Sequence, residues 1–313
     1  MSTRPIAPRL RPVSTAGSPL GGHSLLRSMR PRQWVKNVLV LAAPAAAGVL
    51  PHPADLWRTA VALVVFVAAS AATYLVNDVI DKPADELHPV KRLRPIASGQ
   101  LPVPTALLVA ALLGFGALAC SAALALPLAA VVGAYLAISI SYSLYLKRLP
   151  LVEMACVVSG FTLRAVAGGA ANHVPISPWF LLMTSFGALL IVAGKRSSEQ
   201  QVLGDVQATT HRAALGAYPP EFLRGVRLLA MTVTVTTYCL WAFERAALLR
   251  PGHPRGLFWF ELSIIPFVLA VLAVELGIMK GRGGEPEEMA LSDRLLQVLG
   301  LAWVALVVCG IYA

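Results

Sequence analysis

Asp78, Asp81 and Asp85 stand at i, i+3 and i+7 in Asn77-Asp78-Val79-Ile80-Asp81-Lys82-Pro83-Ala84-Asp85, where a long apolar run ends, and Lys91, Arg92 and Arg94 follow shortly afterwards. On an α-helix that spacing confines three carboxylates to an arc of about 60° on one face. Anions so placed repel unless a cation joins them. Carboxylate oxygens suit Mg²⁺, which completes its octahedron with waters and phosphate oxygens. The acidic face and the basic run therefore point to metal-diphosphate chemistry, with Asp78, Asp81 and Asp85 on Mg²⁺ and Lys91, Arg92 and Arg94 on the remaining phosphate charge. Pro83 interrupts the pattern. Its ring removes a helical N–H and biases Lys82 away from helical geometry, so a break or kink is expected between Asp81 and Asp85.

Other polar residues gather at comparable places. Tyr142-Ser143-Leu144-Tyr145-Leu146-Lys147-Arg148 closes a later apolar run, and Glu153 heads the next. Lys195-Arg196-Ser197-Ser198-Glu199 closes another, with Lys195 and Glu199 as i, i+4 neighbours. Lys and Arg beyond a membrane helix ordinarily anchor it to the interface. These turns carry more interest because they open at the same end as Asp78. Arg164 lies deep in an apolar run between Leu163 and Ala165, where a charge costs about 2.5–3.5 kcal/mol on insertion scales. It is expected to face a bundle interior or wet cavity and to meet a phosphate or carboxylate there, with a purely structural pair as the alternative. Glu261 and Glu275 lack comparable basic neighbours and read as packing or interface residues.

The elements that must position these groups are membrane helices. The chain is 57% hydrophobic and 13% charged, with a mean hydropathy of +0.69, far from the composition of a soluble domain. Nine apolar spans are expected: Trp34 to Leu50, Leu56 to Val79, Val103 to Leu126, Pro127 to Leu146, Leu151 to Ala171, Pro178 to Gly194, Phe222 to Phe243, Leu257 to Met279, and Leu295 to Tyr312. Most approach the roughly 20 residues a bilayer requires. The ends are soft by several residues, and the junction at Leu126-Pro127 is so tight that two helices can be misread as one.

With the N-terminus placed in the cytoplasm, 21 of the 26 Lys and Arg fall on that side. Arg58, Arg245, Arg250 and Arg255 fall opposite, and Arg164 lies within a span. That asymmetry predicts a cytoplasmic N-terminus, an extracytoplasmic C-terminus and an odd number of spans in a multi-pass plasma-membrane protein. The net charge of +10 is then accounted for by loops facing anionic lipid and anionic substrates, without nucleic acid. Residues 1–33 read as a disordered basic cytoplasmic arm without a cleavable signal peptide, ending in an interfacial anchor at Arg30-Pro31-Arg32-Gln33-Trp34. Residues 34–313 form one transmembrane catalytic domain. Its longest inter-span stretches, 81–102 and 195–221, are the candidate active-site loops. Cys120, Cys156, Cys239 and Cys309 lie far apart in apolar spans and are expected to be small buried hydrophobes rather than disulfides or zinc ligands. The six histidines show no ligand spacing.

The pattern Asn-Asp-x-x-Asp-x-x-x-Asp at 77–85, the trailing Arg92-Leu93-Arg94-Pro95-Ile96-Ala97-Ser98-Gly99 and the nine spans resemble the UbiA superfamily of intramembrane prenyltransferases. The resemblance implies an all-α integral membrane bundle of nine transmembrane helices with its active site at the cytoplasmic mouth. In most of that superfamily a second Asp-rich motif after the sixth helix helps bind prenyl diphosphate through Mg²⁺. Here that place reads Gly194-Lys195-Arg196-Ser197-Ser198-Glu199-Gln200-Gln201, with no Asp before Asp205. The departure points elsewhere. Arg30-Pro31-Arg32-Gln33-Trp34-Val35-Lys36-Asn37, Leu163-Arg164-Ala165-Val166-Ala167-Gly168-Gly169, Ala193-Gly194-Lys195-Arg196 and Gly284-Glu285-Pro286-Glu287-Glu288 resemble the actinobacterial decaprenyl-phosphate phosphoribosyltransferase branch, from residue 28 onward.

That branch implies 5-phosphoribosyl-1-diphosphate (PRPP) as donor, a polyprenyl (decaprenyl) phosphate as acceptor and a product used for cell-wall arabinan. Asp78, Asp81 and Asp85 would hold Mg²⁺ on the diphosphate. Lys36, Asn77, Arg92 and Arg94 are donor-side candidates. Lys147, Arg164, Lys195 and Arg196 are candidates for either substrate's phosphate, with Tyr142 and Glu199 beside them. The acceptor phosphate is ionised at neutral pH, so no general base is assigned. Its attack opposite the departing pyrophosphate would invert C1. Two alternatives stay open on the sequence: an aromatic prenyltransferase using a prenyl diphosphate, and a transporter with an ion path through Arg164. A homo-oligomer is likewise left open.

Overall fold

The computed structural model describes residues 22–211, 215–249, 256–284 and 286–312. Residues 1–21 of the expected arm, Arg212, Arg250, Arg255 and Glu285 lie outside the described residues, as do the side chains of Asp205 and Glu287. In chain order the α-helices are α1 (Gly22–Ser28), α2 (Ala42–Ala47), α3 (Pro53–Ile80), α4 (Lys82–Leu87), α5 (Val103–Leu124), α6 (Leu126–Leu144), α7 (Val152–Asn172), α8 (Pro178–His211), α9 (Pro220–Leu249), α10 (Gly256–Met279), α11 (Pro286–Ser292) and α12 (Arg294–Tyr312). Short 3₁₀ turns join several of them, and no strand occurs among the described residues. The chain is an all-helical, multi-pass membrane protein.

Among the described residues eight helices, where nine spans are expected, are long and apolar enough to cross a bilayer: α3, α5, α6, α7, α8 over Pro178–Gln201, α9, α10 and α12. The expected first span, Trp34 to Leu50, is not a continuous α-helix. It is a 3₁₀ helix of 11 residues, Pro31–Leu41, followed by the 6 residues of α2. At rises of about 2.0 and 1.5 Å per residue the two together extend about 31 Å, close to the hydrocarbon thickness of a bilayer. The slimmer 3₁₀ coil lies hard against α7. A Cβ added at Gly168 would meet the Val40 carbonyl at 1.9 Å and Pro44 Cδ at 2.8 Å, so only glycine admits this approach. The same segment's N-terminal flank corrects the expected arm: residues 22–28 are helical, with Ser28 buried.

The junction at Leu126-Pro127 is a true turn between two helices. Ala125 adopts extended backbone (φ −163, ψ 129), and Pro127 sits in the first turn of α6, where its missing N–H is harmless. The 195–221 stretch departs from expectation, because α8 continues unbroken to His211. The packing is built from small and aromatic residues. Val65, Phe66, Ala69, Leu128, Val132, Tyr135, Ala167 and Ala171 form one buried cluster, and Phe180, Tyr238, Trp241, Ala242 and Phe260 another. Alanine at these seams lets helices approach closely where no hydrophobic force favours helix over lipid. Among the cysteines, Cys120 is exposed and the others partly so, because their faces turn outward from the bundle.

Alternating helix directions bring the C-terminal ends of α3, α6, α8 and α10 and the N-terminal ends of α7 and α9 to one end of the bundle. At the opposite end the two described arginines serve helix termini. Arg58 Nη1 donates to the Ala171 carbonyl of α7 at 3.3 Å, and Arg245 Nη2 to the Ala47 carbonyl of α2 at 2.7 Å. Cations there satisfy orphan carbonyls and the negative end of the helix dipole.

Candidate active site

The local chain explains how three carboxylates remain together despite Pro83. Asp81 closes α3 through its N–H to the Asn77 carbonyl at 2.8 Å, and its own carbonyl accepts from Ala84 and Asp85 N–H at 3.0 and 2.9 Å. Pro83 falls in the first turn of α4, where no N–H is needed. The helix is interrupted without losing its direction, and Asp85 stays with the cluster.

Each carboxylate has a cationic partner. Asp78, 3% exposed, pairs with Arg30 and lies 3.3 Å from Arg94 Nη1. The same Arg94 nitrogen donates to Asp85 Oδ2 at 2.6 Å. Asp81 pairs with Lys147 from the α6–α7 loop and accepts from Asn77 Nδ2 at 2.9 Å. Oxygens of Asp78 and Asp85 therefore converge on a single cationic atom, while Asp81 faces a different one. Among the described residues no three acidic, His or Cys side chains are grouped closely enough to cage a metal. Instead of the expected set of three, the structure brings Asp78 and Asp85 together on Arg94, with Asp81 turned to Lys147.

Of the basic residues named from sequence, Arg94 and Lys147 are brought to the carboxylates. Arg92 is exposed. Lys36 Nζ lies 5.8 Å from the centroid of the Phe161 ring. Lys195 and Tyr142 are half-buried, and Tyr142 is within electrostatic reach of Arg196. Arg30 was missed as a site residue. Its place just before a proline at the mouth of an apolar segment is the available signal, but its contact with Asp78, 48 residues away, is not legible in it. Arg30 holds a left-handed backbone at φ 53 and lies 5.2 Å from the Tyr74 ring centroid.

Arg196 and Arg164 are both engaged by partners within the protein. Arg196 donates to both oxygens of Glu153, at 2.9 and 2.7 Å, and to Glu199 at 2.9 Å. It is a buried lock between α8 and α7, and Glu199 adds to it from the next turn of α8. Arg164 is held by neutral protein oxygens. Its Nε donates to Asn37 Oδ1 at 2.7 Å, Nη1 to the Gly160 carbonyl at 2.7 Å, and Nη2 to Tyr135 Oη at 2.9 Å and Ser70 Oγ at 3.1 Å. The Tyr135 ring lies 4.8 Å beneath the guanidinium. Five-donor arginine thereby ties the 3₁₀ segment, α3, α6 and α7 together. Glu275 also has a cation that sequence proximity did not reveal: Arg227 Nε lies 3.1 Å from both its oxygens and Arg227 Nη1 donates to Ser197 Oγ at 2.6 Å.

Comparison with known proteins agrees with this architecture. The model of the UbiA prenyltransferase family matches residues 38–290. The decaprenyl-phosphate phosphoribosyltransferase of Corynebacterium glutamicum is 42% identical over 295 residues, 92% of this chain and 86% of that protein. The Mycobacterium tuberculosis protein of the same name is 45% identical over 287 residues, 90% of this chain and 92% of that one. A UbiA homologue from Archaeoglobus fulgidus, solved with GPP and Mg²⁺, superposes with a TM-score of 0.68 at 18% identity, covering 92% of this chain and 98% of that one. With the family model spanning most of its length and the same helical fold beneath it, the chain belongs to the UbiA prenyltransferase family.

Proposed function

We propose that this protein transfers the 5-phosphoribosyl group of PRPP to a polyprenyl phosphate, decaprenyl phosphate by likeness to its relatives, and releases pyrophosphate. The observation that carries the reading is the matched set of three carboxylates and three cations, Arg30, Arg94 and Lys147, at one end of a membrane bundle. A soluble, anionic donor and an acceptor whose tail stays in lipid can meet at such a mouth. The names of the Corynebacterium and Mycobacterium relatives support a phosphoribosyl group as the cargo and decaprenyl phosphate as the acceptor.

A divalent metal suits the donor set, because oxygens of Asp78 and Asp85 already converge on one positive atom, Arg94 Nη1. Asp78 and Asp85 would hold Mg²⁺, with Asp81 beside them. When bound, the metal supplies charge neutralisation to the diphosphate leaving group. The remaining work belongs to side chains. Arg30, Arg94 and Lys147 exchange carboxylate for phosphate partners and bind donor oxygens by charge-assisted hydrogen bonds. Lys195 offers its ammonium where other family members carry acidic residues, and so favours a substrate with an additional phosphate. Asn77 holds Asp81 in place. No residue is needed as base, because the acceptor phosphate is already an anion; positioning and electrostatics account for the catalysis.

Orientation follows charge. The 3₁₀–α2 segment is the ninth crossing, the N-terminus and the carboxylate end face the cytoplasm, and the C-terminus is extracytoplasmic. Membranes containing the protein, supplied with ribose-labelled PRPP, Mg²⁺ and a polyprenyl phosphate, should form a lipid-linked phosphoribose. Absence of that product alongside ready prenylation of 4-hydroxybenzoate would assign the chain to aromatic prenyl transfer instead.

A further inference from the structure

The loop that delivers Lys147 to Asp81 is built around an unusual turn. Leu151 has φ 65 and ψ −47, and the Val152 N–H bonds across it to the Pro150 carbonyl at 2.8 Å. These are the marks of a classic γ-turn, a rare conformation that a leucine adopts only under constraint. The rest of the loop is closed by its own backbone: Arg148 N–H to Tyr145 O at 3.0 Å, Leu149 N–H to Leu146 O at 3.1 Å and Glu153 N–H to Leu149 O at 3.0 Å. The Leu151 N–H alone among these is met by a side chain. It donates to Tyr218 Oη at 2.7 Å, across 67 residues.

Tyr218 is itself braced. It is 4% exposed, its ring stacks on Phe222 with centroids 5.9 Å apart, and its carbonyl accepts from Gln200 Nε2 at 2.7 Å. The hydroxyl faces Glu153 Oε1 at 3.5 Å, and Glu153 is fixed by Arg196. Burial, above all, pushes the Tyr218 pKa above that of an ordinary phenol, so the hydroxyl keeps its proton toward Glu153 while a lone pair accepts from Leu151.

We infer that Tyr218 is a positioning residue of the transfer reaction: its hydroxyl holds the γ-turn at Leu151 and thereby fixes the loop that presents Lys147 at the carboxylate site. A local backbone strain sustained by one distant hydroxyl is the kind of device that pre-sets geometry at a working site. Tyr218 acts through Lys147 and touches no substrate. The inference rests on the proposed function for the meaning of Lys147, but its structural half can be read without turnover.

The test uses Tyr218→Phe, which keeps the ring stacked on Phe222 and removes only the hydroxyl. Phosphoribosyl transfer by the full-length protein in membranes should fall about tenfold, the effect of one well-placed hydrogen bond to a backbone amide. Lys147 should react faster with an amine-directed reagent, measured by peptide mass spectrometry against Lys280. Adding Leu151→Gly should restore both readouts toward wild type, because glycine holds positive φ without the hydroxyl's help. In a Lys147→Ala background, Tyr218→Phe should have little further effect on the residual rate. Unchanged Lys147 labelling, no rescue by Leu151→Gly, or a full tenfold loss in the Lys147→Ala background would each overturn the inference. A wild-type protein without phosphoribosyl transfer would overturn the proposed function, while the labelling arm would still decide whether Tyr218 holds the loop.

Discussion

Arg196 and Glu153 form a two-point ion pair across 43 residues, with N–O distances of 2.9 and 2.7 Å and both side chains nearly sealed from solvent. The pair joins the first turn of α7 to α8. The arginine is thereby committed to a structural contact, and Lys195 beside it is half-buried.

Arg196→Met should destabilise the protein strongly, because Glu153 loses both of its charged hydrogen bonds while remaining buried. Breaking a buried pair in this way costs about 3–5 kcal/mol. Thermal unfolding of the detergent-solubilised protein should register it, and an unaltered melting temperature would show that the pair is dispensable.

Lys195→Ala should behave differently. Its melting temperature should stay near wild type while the apparent KM for PRPP or for the polyprenyl phosphate rises, or kcat falls, at saturating Mg²⁺. The change should exceed that of Lys280→Ala, whose side chain is exposed. Equal kinetics for the two variants would return Lys195 to the role of an ordinary membrane anchor.

Asp78→Asn and Asp85→Asn should each lower turnover by about 100-fold or more, the scale of losing one preorganised charge contact in an active site. Similar losses are expected because both carboxylates reach the same Arg94 nitrogen. Asp81→Asn should also impair transfer through its contact with Lys147. Chelation with excess EDTA should stop the wild-type enzyme, and full activity under chelation would contradict a metal role for these residues.

Arg164→Ala should weaken the fold rather than substrate binding. Its four hydrogen bonds, at the average of about 0.6 kcal/mol found for polar contacts within membranes, sum to about 2 kcal/mol. The expected signature is a lowered melting temperature with KM values unchanged in the fraction that remains folded. A selective rise in KM without loss of stability would instead place a phosphate at Arg164.

A cysteine introduced at Gln100 should escape an impermeant thiol reagent on intact cells and react after permeabilisation, as a cytoplasmic position requires. Ready labelling on intact cells would invert the topology.

Apolar runs and charge asymmetry determined the membrane class, because a bilayer requires long apolar segments whatever their neighbours. The spacing of Asp78, Asp81 and Asp85 likewise forecast a shared face, since helical periodicity links residues a turn or two apart. Sequence alone did not reveal that the segment from Pro31 to Leu41 would be 3₁₀, because that form depends on how closely Gly168 of α7 admits it. Nor did it reveal the partners of the buried cations. Arg164 and Arg196 each stood as a charge in or beside an apolar run and invited the same reading, yet one is satisfied by neutral oxygens and the other by two glutamates. Residues within one helix meet by fixed geometry; residues on different helices meet only where packing turns their faces together. For Arg30 and Asp78, Lys147 and Asp81, and Tyr218 and Leu151, tertiary structure therefore made the decision.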